Sequence, residues 1–260
     1  MARTFSKNAS NYATLGAGAM NALMDGAAAI SVSVFAKAAG LTSGTPTAAN
    51  RLLAFQIAGG NSIVILWQDA GSGNANVLAG GRSQEADGFQ SCVGDEEFAY
   101  DAWHHIGLVM NYTTDRILVY VDGVLDKNQA VNFGSDTFVP GSPTLHDVIG
   151  GDDETPTTDR QFDGDISEVH VFSGVLGATE FAAIAGADDP DTVTGGGITR
   201  IAGWRLLGDD SPEPDNVGST DLTLVGSIPA ATHPFGAYNG GGGGTTGRLV
   251  GGNLLGRLAT

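Results

Sequence analysis

Three carboxylates, Asp163, Asp165 and Glu168, are packed into the short stretch Phe162-Asp-Gly-Asp-Ile-Ser-Glu168. Two carboxyls about 5 Å apart across a sugar cleft are the machinery of retaining glycoside hydrolysis, one as nucleophile and one as acid. A glycosidase built on this chain would therefore use Asp165 and Glu168. A second set of acids, Asp147, Asp152, Asp153, Glu154 and Asp159, falls in or beside the loop-like segment between Ile149 and Phe162. Loop carboxylates are hard oxygen ligands, which makes calcium the one cofactor candidate. Tyr112, Phe89 and Phe98 stand near turn-like stretches.

Other chemistries lack their residues. His104 and His105 are consecutive on an expected strand, so their side chains point to opposite faces and do not converge on one metal. His146, His170 and His233 are scattered, and no HExxH or CxxC spacing occurs. Neither a GxSxG elbow nor a P-loop lysine motif is present. Cys92 is the single cysteine, so no intrachain disulfide can form, and it reads as a small buried hydrophobe. No catalytic, cofactor-binding or metal-ligating residue is assigned from sequence, and the chain reads as non-enzymatic.

The elements that would position these groups are strands. In Trp103–Met110, Ile106, Leu108 and Met110 fall on one face and His105, Gly107 and Val109 on the other. Arg116–Val121 is a β-branched and aromatic run ending at Asp122-Gly123, a dipeptide suited to the positive φ angles of a tight hairpin turn. Ile30–Ala36 reads as a buried strand, and Leu52–Ile57 and Ile63–Trp67 as a hairpin around Gly59-Gly60-Asn61. Gly177, with Glu180 three residues on, opens one short helix, Ala178–Ile184. Forty glycines and recurrent Gly, Asn, Asp and Ser clusters between short apolar runs favour many strands and turns. The fold class is all-β.

At 260 residues the chain can bury a substantial core. Its net charge of −17, from 12 basic and 29 acidic residues, disfavours nucleic acid and anionic bilayers as partners. No run approaches the roughly 20 apolar residues of a membrane-spanning helix. Asn239–Thr260 differs in character. Five consecutive glycines, Gly240–Gly244, precede a peptide carrying Arg248 and Arg257 and no acid. A flexible tether followed by an apolar, mildly basic peptide suggests a docking arm.

The order of Trp103–Met110, Arg116–Gly123, Ile149-Gly150, Phe162–Phe172 and Leu176–Phe181 resembles the laminin-G-like, concanavalin A-type family. The resemblance implies a two-sheet antiparallel jelly-roll sandwich over residues 1–238, with one short helix and a Gly-rich C-terminal arm, 239–260. It also implies that the acids of Asp163–Glu168 are structural, since Phe162, Gly164, Ile166 and Val169 match the family's strand. The family's usual opening piece, with its Trp-x-Leu, stands near the C-terminus here, as Ile201–Gly208 and Asp215–Gly226. The opening strand would then be supplied by residues 198–226, as in a circular permutant, with Trp204 in the core.

For function, the resemblance implies a lectin-like body that could bind glycan, with Tyr112, Phe89 and Phe98 as the aromatics that could stack on a pyranose face. The N-terminus, Met1-Ala-Arg-Thr-Phe-Ser-Lys-Asn, has no secretory pattern. A fold typical of surfaces without an export signal suggests a particle released by lysis, and the chain resembles versions found in bacteriophage structural proteins. The first expectation is a virion component (capsid decoration, tail or fibre) that contacts other virion proteins or itself through the arm as a homo-oligomer. The alternative is a carbohydrate-binding module of a bacterial surface or exported protein; the second alternative is a glycoside hydrolase of the same fold.

Overall fold

Alternation decides which face of each strand is buried. In Ile30-Ser-Val-Ser-Val-Phe-Ala36, Ile30, Val32, Val34 and Ala36 enter one apolar cluster, and Phe35 packs into another on the opposite face. The computed structural model describes residues 2–6, 11–39, 50–58, 60–69, 74–152, 160–193, 196–207 and 211–235. In chain order the elements are β1 (Ala2–Phe5), β2 (Tyr12–Ala17), α1 (Ala19–Met24), β3 (Ala29–Ala38), β4 (Asn50–Ile57), β5 (Gly60–Asp69), β6 (Ala75–Gly81), β7 (Gln90–Val93) and β8 (His104–Asn111). They continue with β9 (Arg116–Val121), β10 (Val124–Ala130), β11 (His146–Ile149), β12 (Gly164–Ser173), α2 (Ala178–Ala185), a 3-10 turn (Pro190–Thr192), β13 (Thr199–Trp204), β14 (Thr223–Val225) and β15 (Ala230–Ala231).

The strands form two antiparallel sheets packed face to face. One has eight strands in the order β10-β9-β8-β3-β12-β1-β15, with β13 also beside β12; the other has seven, β14-β2-β11-β4-β5-β6-β7. This is the expected all-β jelly-roll sandwich. Phe55, Ile65, Trp67, Leu108, Val119, Ile166, Val171 and Trp204 fill the space between the sheets. On the outer face of the eight-stranded sheet, α2 lays Phe181 and Ile184 onto Phe35, Val109, Tyr120 and Phe172.

Local chemistry explains the turns and the ends. Asp122 and Gly123 take φ of 50° and 80°, making the tight turn between β9 and β10. The Glu180 carboxylate accepts the Gly177 N–H at 2.9 Å, which starts α2. Among the described residues there are two α-helices rather than the one expected. The second, α1, begins at Gly18 in the left-handed region with no side-chain cap, so its start carries none of the usual sequence signals. The arm 239–260 and the acids Asp153, Glu154 and Asp159 lie outside the described residues.

An early strand and a late one reach the same strand. On one side β12 pairs with β3; on the other, β1 pairs with residues 164–166 and β13 with residues 169–173. Residues 198–226 thus place β13 in the eight-stranded sheet and β14, against β2, in the seven-stranded sheet. Asp215 pins the link between them, accepting the Gly203 and Val217 N–H groups at 3.0 Å each and that of Thr220 at 3.3 Å. Trp204 is fully buried and donates its indole N–H to the Thr220 carbonyl at 2.8 Å. Trp103, which the alternation placed at a strand start, precedes β8 and is only half-buried against the outer cluster.

These positions predict different costs. Trp204→Ala should lose about 3–5 kcal/mol of unfolding free energy in denaturant titration. Trp103→Ala should lose clearly less, and equal losses would contradict the packing described.

Candidate functional site

The outward face of the seven-stranded sheet carries an open groove. Because Ile63, Ile65 and Trp67 of β5 point into the sandwich, Val64 and Leu66 point out, and with Ala54 of β4 and Leu78 of β6 they make an apolar floor. Register builds the row: Arg51 of β4 pairs with Leu66, which pairs with Leu78. The groove is lined by Arg51, Gly60, Asn61, Val64, Leu66, Leu78, Arg82 and Phe89.

Each polar wall has a local cause. Arg51 donates to the Asp152 carboxylate, which also accepts from Arg160 at 2.6 Å, so the β4 side is held by ion pairs. Arg82 follows β6 directly, and its guanidinium lies over Gly60, where an added Cβ would sit 2.8 Å from Nη2. Gly60 has φ of +153° and leaves the room that the guanidinium occupies. Phe89 precedes β7 and is 41% exposed. The close pairing of β6 with β7, which follows Phe89, depends on Gly80, where a Cβ would lie 2.1 Å from the Gln90 carbonyl oxygen.

The segment carrying Arg82 and Phe89 is braced from below. Ser83 donates its hydroxyl to Asp87, Gln84 donates to Asp87 at 3.0 Å, and the Gly134 N–H reaches the same carboxylate at 3.0 Å. Burial works to raise the Asp87 pKa, but these hydrogen bonds outweigh it and hold the carboxyl below its ordinary value.

The aromatics suggested by sequence separate clearly. Tyr112 is fully buried, stacked edge-on to Phe133 with ring centroids 5.0 Å apart. Phe98 is buried against Trp67 at 5.0 Å. Of the three, Phe89 alone faces solvent in the groove. Arg51, Asn61 and Arg82 were not identified from sequence; the hairpin around Gly59-Gly60-Asn61 and the Gly80-Gly81-Arg82 strand end were the available signals.

The acids are engaged elsewhere. Asp147 is fully buried and accepts the Met20 and Gln56 N–H groups at 2.8 and 2.7 Å; burial pushes its pKa up to about 6 despite those bonds. Asp152 is taken by Arg51 and Arg160. Among the described residues, no group of three or more His, Cys, Asp or Glu side chains comes together as a metal site. Cys92 is buried, and burial raises its thiol to about 11.

Asp165 accepts from Thr4 at 2.6 Å and pairs with Lys37 at 3.1 Å. Glu168 sits at the break in β12 with φ of +50°. One of its oxygens meets His170 Nε2 and the other His233 Nε2, each at 3.0 Å, and His170 Nδ1 is 3.3 Å from Arg200. Burial alone would raise the Glu168 pKa, but the two histidine hydrogen bonds prevail and bring it down to about 2. A carboxyl so acidic holds no proton to donate near neutral pH, and both its oxygens are occupied. A separate pocket of about 520 Å³, open to solvent, lies beside it between Phe35, Ala187, Asp189, Arg205, His233 and Phe235. Its Arg205 is 3.7 Å from Asp189.

Comparison with known families bears on this geometry. The laminin-G-like profile of the concanavalin A-like lectin/glucanases superfamily matches residues 7–182. The chain belongs to this superfamily. Among solved structures it is similar to a candidate carbohydrate-binding protein from Bacteroides ovatus, at 18% identity and a TM-score of 0.61, covering 88% of this chain and 59% of that one. It thus spans about three-fifths of the length of that protein. A heptameric SAP-like pentraxin from Limulus polyphemus matches with 14% identity, a TM-score of 0.56, 90% of this chain and 89% of its own. The CBM40 of the Ruminococcus gnavus IT-sialidase, bound to α2,6-sialyllactose, matches with 12% identity, a TM-score of 0.50, 71% of this chain and 96% of its own. At these identities the likeness is one of fold. No curated protein sequence matches the chain.

The Glu168 cluster yields a pH prediction. Because its folded pKa lies below the ordinary 4.5, its stabilisation is complete above pH 4.5 and is lost as pH falls toward about 2. The amount is on the order of 3 kcal/mol. Asp147 works in the opposite sense: its contribution is full below about pH 4 and is lost as pH rises through about 6. Thermal melts should therefore show a steep loss below pH 4.5, and Glu168→Gln should lower the melting temperature at pH 7 while flattening that loss. An unchanged acid limb in Glu168→Gln would contradict the assignment.

Proposed function

We propose that this protein is a non-catalytic glycan-binding module that uses the groove on its seven-stranded sheet. The observation that carries the proposal is the exposed Phe89 ring beside Arg82 and Asn61 over the floor of Val64, Leu66 and Leu78. An aromatic face takes up the C–H face of a sugar ring, and amide and guanidinium groups take its oxygens. Asn61 stands on β5 and the Asp87 network braces the segment carrying Arg82 and Phe89, so little ordering cost is left for binding. Two of the similar folds, from Bacteroides ovatus and Ruminococcus gnavus, are described as carbohydrate-binding, which accords with this reading.

A hydrolase is the weaker reading, because Asp165 and Glu168 are both committed to internal partners. The virion reading, with a homo-oligomer formed through the arm 239–260, keeps its support from sequence features alone, whereas the groove adds a structural observation to glycan binding.

Screening the intact protein on an oligosaccharide array should give retention of a defined glycan subset. Phe89→Ala should abolish that retention without lowering the melting temperature, since Phe89 is a surface ring. Retention unaffected by Phe89→Ala would place binding elsewhere, and no retention of any glycan would overturn the proposal.

A further inference from the structure

The groove contains a cation with no counter-charge. Arg3, Lys37, Arg51, Lys127, Arg160 and Arg205 each face a carboxylate. Arg82 faces none among the described residues, in a chain where acids outnumber bases 29 to 12. Its Nε is buried and makes no hydrogen bond. An Nε enclosed by the protein is out of reach of a ligand, so an incoming acceptor meets the Nη end of the guanidinium. With so many acids available, an unpaired arginine over an apolar floor is the arrangement expected where the acceptor arrives with the ligand.

We propose that the groove selects glycans carrying a carboxylate, with the acid group on Arg82 and the sugar ring on Phe89. The proposal rests on the glycan-binding reading and adds the chemical class of the ligand. A planar carboxylate matches the guanidinium fork and can accept two parallel N–H bonds, a geometry that an ammonium group cannot offer. The chain's net charge of −17 repels densely charged polymers, so the ligand is an oligosaccharide with isolated acid groups among neutral sugars. Gly60 takes part as a positioning residue, since a side chain there would displace the guanidinium.

The test uses the full chain and an array bearing neutral, uronic-acid, sialic-acid and sulfated oligosaccharides, followed by calorimetric titration of the best-retained glycan and its carboxyl-reduced counterpart. Retained glycans should carry carboxylates, and carboxyl reduction should weaken binding about tenfold or more, the scale of one charge-assisted contact. Arg82→Gln should bring the acidic glycan down to the affinity of its reduced form, Arg82→Lys should recover only part of the difference, and Phe89→Ala should weaken both. Neutral glycans bound as well as acidic ones, sulfated glycans preferred over carboxylated ones, or Arg82→Gln without effect would overturn this inference while glycan binding stands. No glycan bound at all would overturn both.

Discussion

One strand edge holds this molecule together. Along β12, β3 is the partner on one side throughout, with a register shift between Ser167 and His170, while the other side is divided between β1, from the start of the described chain, and β13, from its later part. The division falls at Glu168, whose backbone leaves the extended region and whose carboxylate is gripped by His170 of the same strand and His233 of the C-terminal segment. Without that break the two partners would compete for one ladder. With it, hydrogen bonding passes from β1 to β13, and a carboxylate charge is buried with both oxygens satisfied.

The proposed groove stands on the opposite sheet, across the core from this closure. The inward residues of β5 and β6 anchor the core, so their outward neighbours form a fixed floor. Arg51 comes to that floor from β4, and Arg82 and Phe89 come from the two ends of the connection between β6 and β7. The Asp87 network holds the Arg82–Phe89 segment much as Asp215 holds the link between β13 and β14: one carboxylate collecting several donors. Many of the acids in this chain are spent in this way, organising loops and pairing cations, so its acidity gives little guidance about ligands. The informative charge is Arg82, which stands in the groove and faces no carboxylate among the described residues.

Much of the fold was legible because it rests on local rules. Alternation gave β3 and β8, the Asp122-Gly123 pair gave the β9–β10 turn, and Glu180 gave the start of α2. The helix α1 was not legible, since it is only six residues long and starts from a left-handed glycine. Trp103 was misplaced by the same local reasoning, because a strand pattern does not say where pairing begins. The site was less legible still. Phe89, Phe98 and Tyr112 look alike in sequence, and only tertiary packing buries two of them. Arg51 and Leu78 are brought into one row by sheet register, which no short window contains.

The central claim is that ligand is taken up on the groove and not at the Glu168 pocket on the other face. Amide chemical-shift mapping of the isotope-labelled protein, titrated with the oligosaccharide best retained on the array, tests it most directly. The account predicts shifts confined to Asn61, Val64, Leu66, Leu78, Arg82 and Phe89 and their neighbours, with Glu168, Ala187, His233 and Phe235 unmoved. Shifts concentrated at the latter set would contradict it.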